Sequence, residues 1–130
     1  MARVIFFGKP GCLGNARQES LLRACGHAVD RRDLLAEPWT VTTLRPFFGA
    51  RPVAEWFNRS SPRIRDGEVR PEALDEAAAL AAMLAEPLLI RRPLLQVGER
   101  REAGFEPALI AAWIGLDGAD TVVGEGCPRL

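Results

Sequence analysis

Cys12 stands in the run Lys9-Pro10-Gly11-Cys12-Leu13-Gly14-Asn15-Ala16-Arg17. The apolar, β-rich segment "RVIFFG" precedes it, a Pro-Gly turn intervenes, and a helical pattern follows at once. This spacing puts a thiol at the first turn of a helix. A helix start carries unpaired N–H groups and roughly half a positive charge. A thiolate there is stabilised, and its pKa falls below the free value of ~8.5. Gly11 and Gly14 flank the sulfur without side-chain bulk, so backbone N–H groups can approach an anion. Asn15 adds an amide and Arg17 a charge within the next turns, and Lys9 lies just before. The chemistry these types suit is nucleophilic attack by a thiolate or capture of a tetrahedral oxyanion. The alternative is a small, inert residue at a helix cap.

The pattern around Cys12 is Cys-Leu-Gly-Asn, so a C-x-x-C dithiol is absent and a second thiol must come from elsewhere. Cys25 falls thirteen residues on in the same helix, about 20 Å away at the helical rise. A disulfide needs Cα atoms within about 7 Å. Cys25 also lies on the apolar positions Leu13, Ala16, Leu21, Leu22 and Cys25, which points to packing. Cys127 belongs to residues 117–130, rich in Gly and Asp, which are read as a mobile tail. Glutathione or a partner protein is the more economical second thiol. Three cysteines without a secretory signal argue against a disulfide framework. A single histidine, His27, and no paired ligand spacing argue against a metal site.

The elements that must position Cys12 follow from periodicity. The opening is β-α-β: "RVIFFG", a helix ending at Gly26, then "HAVDRRDL". A helical block spans 39–89. It has a helix start at Thr40, a short helix opened by Pro52, a polar loop "RSSPRIRDGEV", and a long helix opened by Pro71 and stopped by Pro87. Trp39, Phe47, Phe48, Trp56 and Phe57 form the core of that block or, if exposed, a partner surface. "PLLQVG" and "RREAGF" read as a hairpin, and "EPALIAAWIG" as a last helix. The expectation is an α/β, thioredoxin-like order, β-α-β … β-β-α, with helices inserted between the second and third strands. Residues 1–116 form one domain.

Of the 130 residues, 48% are apolar and 26% charged, as in a soluble globular domain. The 17 basic and 17 acidic residues cancel, which argues against a nucleic-acid footprint. No run approaches the ~20 apolar residues of a membrane span, and no signal peptide is visible, so a cytoplasmic location is expected. Lys9 is the only lysine. The arginine bias as a whole is compositional, while single arginines suit oxyanions through their planar fork.

"FFGKPGCLGNARQ", "AEWFNRSSPRI", "PLLIRRPLL" and "GFEPALIAAWIGL" together resemble the arsenate-reductase-like branch of the thioredoxin superfamily, which also holds Spx-type regulators. "EPWT…LRPFFG", "PVAEWFNRSSP" and "LLIRRP" look like the nitrogenase-associated proteins of that branch. The resemblance covers residues 3 to about 116. It implies a four-stranded mixed sheet, a cis peptide before Pro93, and Arg92 pointing at Cys12, with Arg91 solvated or paired to an acid. It also implies a catalytic thiolate at Cys12 and no bound cofactor, with glutathione or glutaredoxin as reductant. In glutaredoxin-linked arsenate reductases three arginines hold the oxyanion. Arg92 matches the first. The second slot, after Trp56-Phe57, holds Asn58, with Arg59 one place on. The third falls near Phe105, which is no arginine. One missing oxyanion donor costs about 2.7–4 kcal/mol by analogy with an oxyanion hole, so the chain departs from an efficient arsenate reductase. Lacking C-x-x-C, it departs from Spx-type switches too. The expected function is thiol oxidoreduction at Cys12 on a small oxyanion or thiol substrate. The alternative is a non-catalytic accessory or regulatory protein with a protein partner.

Overall fold

The computed structural model describes residues 2–116. Strand β1 (Arg3–Gly8) leads into helix α1 (Leu13–Ala24) and strand β2 (Ala28–Asp33). The inserted block carries α2 (Val41–Leu44), α3 (Pro62–Arg65) and α4 (Glu76–Ala85), linked by four 3₁₀ turns. Strands β3 (Leu94–Val97) and β4 (Arg100–Ala103) and helix α5 (Pro107–Trp113) follow. The sheet order is β2-β1-β3-β4. β1 and β2 are parallel, and the other two pairs are antiparallel. This is the thioredoxin-like α/β fold with its insertion between β2 and β3. The residues called a tail, including Cys127, lie outside the described ones.

Alternation along the strands divides the core in two. Phe6 and Leu95 point to one face, where Val4, Leu21, Leu22, Phe105 and Ile110 join them under α1 and α5. Phe7 and Leu94 point to the other face and meet the inserted block. There Phe47, Phe48, Trp56 and Phe57 are buried and Trp39 packs against them, so the aromatic group is core. Trp56 is fully buried, stacks on Phe48 at 4.7 Å between ring centroids, and donates its indole N–H to the Arg51 carbonyl at 2.8 Å. The Arg45 guanidinium lies over the Trp56 ring at 4.7 Å.

Three local expectations need correction. The long helix does not start at Pro71. Pro71–Ala73 makes one 3₁₀ turn, Leu74 is extended, and Asp75 caps α4 by accepting the Ala78 N–H at 2.8 Å. The side-chain cap at Asp75, four residues on, sets the helix start in place of the proline. The polar loop contains α3, opened by Pro62. In α1 the buried face is Asn15, Gln18, Leu21 and Leu22, whereas Leu13 is 71% exposed and Ala16 is exposed. Two amides replace two apolar residues because they satisfy each other, Asn15 donating to Gln18 at 3.0 Å.

Both rings of the Trp56–Phe48 stack are sealed from water, so truncation leaves a large void. Trp56→Ala should cost about 3–5 kcal/mol, read as a lower urea midpoint with the slope unchanged.

Candidate active site

The sequence builds the site at the carboxyl end of β1. Gly11 has φ +83°, a left-handed conformation that suits glycine. The chain turns there, and the Cys12 N–H donates to the Lys9 carbonyl at 3.0 Å. Cys12 is the N-cap of α1. Its sulfur accepts the Asn15 N–H at 3.5 Å, as a capping side chain does, and its carbonyl accepts the Ala16 N–H at 3.0 Å. The Asn15 side chain is buried and spans back across the turn, Oδ1 accepting the Lys9 N–H at 2.9 Å. That bond fixes the loop height over the helix. Gly8 is required below it. A Cβ there would stand 2.8 Å from Phe6 Cε1 and 3.1 Å from Asn15 Oδ1.

Arg92 arrives from the other side of β1. The Arg92–Pro93 peptide is cis. The segment before it is clamped to the inserted block by an antiparallel bridge, Phe57 to Ile90. The Arg91 N–H donates to the Trp56 carbonyl at 2.9 Å, and the Asn58 N–H to the Leu89 carbonyl at 2.8 Å. Behind it, the Gly104 N–H donates to the Pro93 carbonyl at 2.8 Å. Held this way, the Arg92 guanidinium lies near enough to Cys12 to lower the pKa of its thiol.

Several effects act on that sulfur. Partial burial raises the thiol pKa and is the largest single influence. Against it stand the Asn15 N–H, the nearby positive charge of Arg92, and the Gly14 N–H. Together these prevail, and the Cys12 pKa lies below its ordinary value. Because the folded thiol ionises below the unfolded one, its ionisation favours the folded state. That contribution is complete above the unfolded pKa and is lost as pH falls through the folded one.

The remaining candidate residues divide. A cleft of about 330 Å³ opens beside Cys12 and includes Gly11, Asn15, Lys9 and Leu13. A second, of about 360 Å³, has Asn58, Arg59, Arg91 and Arg92 in its lining together with one carboxylate, Glu55. Asn58 Oδ1 caps its own loop through the Ser60 N–H, and Arg59 is engaged by Glu72 at 2.6 Å. Arg91 pairs with Glu106 at 3.2 Å yet still lines this cleft, a role that its sequence position did not indicate. Three corrections follow. Arg17 is exposed and lines neither cleft. Pro93 is buried and lines neither cleft. Asn15 spends its side chain inside the protein, so only its backbone N–H serves the sulfur. Phe105 is core. Arg63 is engaged by Glu68 and Glu86. The sequence analysis missed Arg31, Arg32 and Asp33, which line the first cleft from the carboxyl end of β2. Parallel pairing of β2 with β1 was the available signal, since it brings both strand ends to one edge.

Both nitrogens of His27 are used away from this site, Nδ1 by the Ala2 N–H at 3.0 Å and Nε2 with the Gly115 carbonyl at 2.8 Å. Among the described residues, no three His, Cys, Asp or Glu side chains gather as metal ligands, and no helix is long and apolar enough to cross a membrane.

Comparison with known proteins agrees with this fold. An uncharacterized 15.7 kDa protein in the draG 3′ region of Rhodospirillum rubrum is 55% identical over 98% of this chain and 90% of its own. The solved YFFB protein is 30% identical over 84% of this chain and 96% of its own, with a TM-score of 0.70. The arsenate reductase from Vibrio cholerae shares the fold, with a TM-score of 0.67 at 22% identity over 79% of this chain and 90% of its own. The sequence model of the ArsC family matches residues 15–113. The chain is thus a member of the ArsC family, a group of arsenate-reductase-like proteins with the thioredoxin fold.

Proposed function

We propose that the protein is a thiol oxidoreductase in which Cys12 is the nucleophile and glutathione or glutaredoxin supplies the second thiol. One observation carries this: a partly exposed sulfur at a helix start, its pKa lowered by two helix-start amides and the Arg92 guanidinium, with a cleft beside it. In the exchange step the Cys12 thiolate attacks one sulfur of a disulfide. A new S–S bond forms to Cys12, the old one breaks, and its electron pair leaves with the departing thiolate. A second thiolate then attacks the mixed disulfide and returns Cys12. On the opposite side, Arg92, Arg91, Arg59 and Asn58 offer a cationic cleft for an oxyanion group of the substrate. Arginine-lined recognition of this kind belongs to the arsenate-reductase-like family, although the slot near Phe105 here holds a buried core residue and no arginine.

A second reading is favoured by the relative placed beside draG. In this reading the protein is a non-catalytic accessory or regulatory binding protein linked to nitrogen fixation, and Cys12 is dispensable. A Cys12→Ser variant that restores full cellular activity would support the accessory role over the enzymatic one.

Peptide-resolved alkylation with iodoacetamide tests the thiolate. Cys12 should react faster in the folded chain than in urea at about pH 7, and the two rates should meet above the free value of ~8.5. Arg92→Gln removes a charge from beside the sulfur. Its alkylation should slow at about pH 7, and the gap to the parent should narrow as pH rises and both thiols ionise. Incubation with oxidised glutathione should place the adduct on Cys12, and modification of Cys25 or Cys127 alone defeats the proposal.

A further inference from the structure

The cleft between α1 and β2 is chemically unlike the arginine-lined cleft on the other side of β1. Its floor and lip are apolar, from Phe6, Pro10, Leu13 and Ala16, with Leu13 71% exposed at the mouth. Its rim carries charges of both signs: Lys9, Arg31 and Arg32 against Glu19 and Asp33. These charges are incompletely neutralised. Arg31 reaches Glu19 only at 3.6 Å with its side chain 69% exposed, and Glu19 is shared with Arg23 at 2.8 Å. Arg32 pairs with Asp30 at 2.8 Å. Lys9 makes no ion pair among the described residues. Asp33 turns one oxygen to the Leu35 N–H at 2.8 Å.

We infer that this β2-side cleft is the recognition site for the non-reacting part of a small zwitterionic thiol, or of its disulfide, with carboxylates on Arg31, Arg32 and Lys9 and an ammonium toward Glu19 or Asp33. The inference rests on the proposed exchange at Cys12 and adds where the thiol is read. A volume of about 330 Å³ lies at the small-molecule end of the range for ligand sites. Displacement runs in line through the sulfur of the bound disulfide that is attacked, with the Cys12 thiolate entering on one side and the departing thiolate leaving on the other. The β2-side cleft abuts Cys12, and the arginine-lined cleft lies on the other side of β1. The non-reacting part of a thiol joined to Cys12 can therefore lie in the β2-side cleft without entering the other.

The experiment compares Cys12 modification by oxidised glutathione, by neutral 2-hydroxyethyl disulfide and by iodoacetamide in the full chain. In Arg31→Ala/Arg32→Ala the glutathione rate should fall about tenfold, the factor that loss of ~1.4 kcal/mol gives, while the two neutral reagents react as before. Arg65→Ala removes a remote exposed charge and should leave all three rates alone. An unchanged glutathione rate in the double variant overturns the inference. So does an equal fall with all three reagents, which reports a change in the thiolate itself. Exchange with both disulfides without discrimination in the parent overturns this inference alone, whereas a sulfur that exchanges with neither overturns the exchange reaction as well.

Discussion

Desolvation and hydrogen bonding oppose each other at the sulfur of Cys12. Withdrawal from water disfavours the anion, and directed donors favour it. The donors prevail because they come from elements that cannot easily move apart. Two are backbone amides of the first helical turn, and the third is a guanidinium fixed by the turn before β3. A protein with the same sulfur at the same helix start, and nothing across from it, would hold a thiol nearer its free value. The rest of the molecule serves to keep that opposition unequal.

The inserted block is part of this arrangement. Its aromatic core packs on the Phe7 and Leu94 face of the sheet, and the Phe57–Ile90 bridge carries its position to within two residues of Arg92. Arg91 and Arg92 are adjacent yet differently engaged. One is tied to Glu106 and the Glu55 carbonyl, and the other reaches the sulfur. Gly104 sustains this division, because a Cβ there would lie 2.5–2.7 Å from the Arg91 guanidinium.

The strand and helix order was legible from the sequence because buried strands and glycine stops leave strong local signals. The Gly11-Cys12 turn was legible for the same reason. Less legible were features that depend on cooperation between distant residues. The polar face of α1 looks unfavourable until Gln18 and the Lys9 N–H are seen around Asn15. In the sequence the start signal of α4 is Pro71, and only the cap geometry moves the start to Asp75. Arg31 and Arg32 sit on an edge strand whose charges pass for ordinary solvated ones until the parallel register sets them beside Cys12. Arg17 shows the reverse. It is near the cysteine in sequence, but helical rotation carries it away from the clefts.

Asn15 has a side chain that accepts at one atom and donates at its neighbour, and both are consumed. Aspartate, nearly identical in shape, could keep the acceptor but has no proton for Gln18. It would also set a fixed negative charge in the interior, one helical turn from a sulfur that must itself become negative. The difference between an amide and an acid at this buried strut therefore separates a pocket that welcomes an anion from one that repels it.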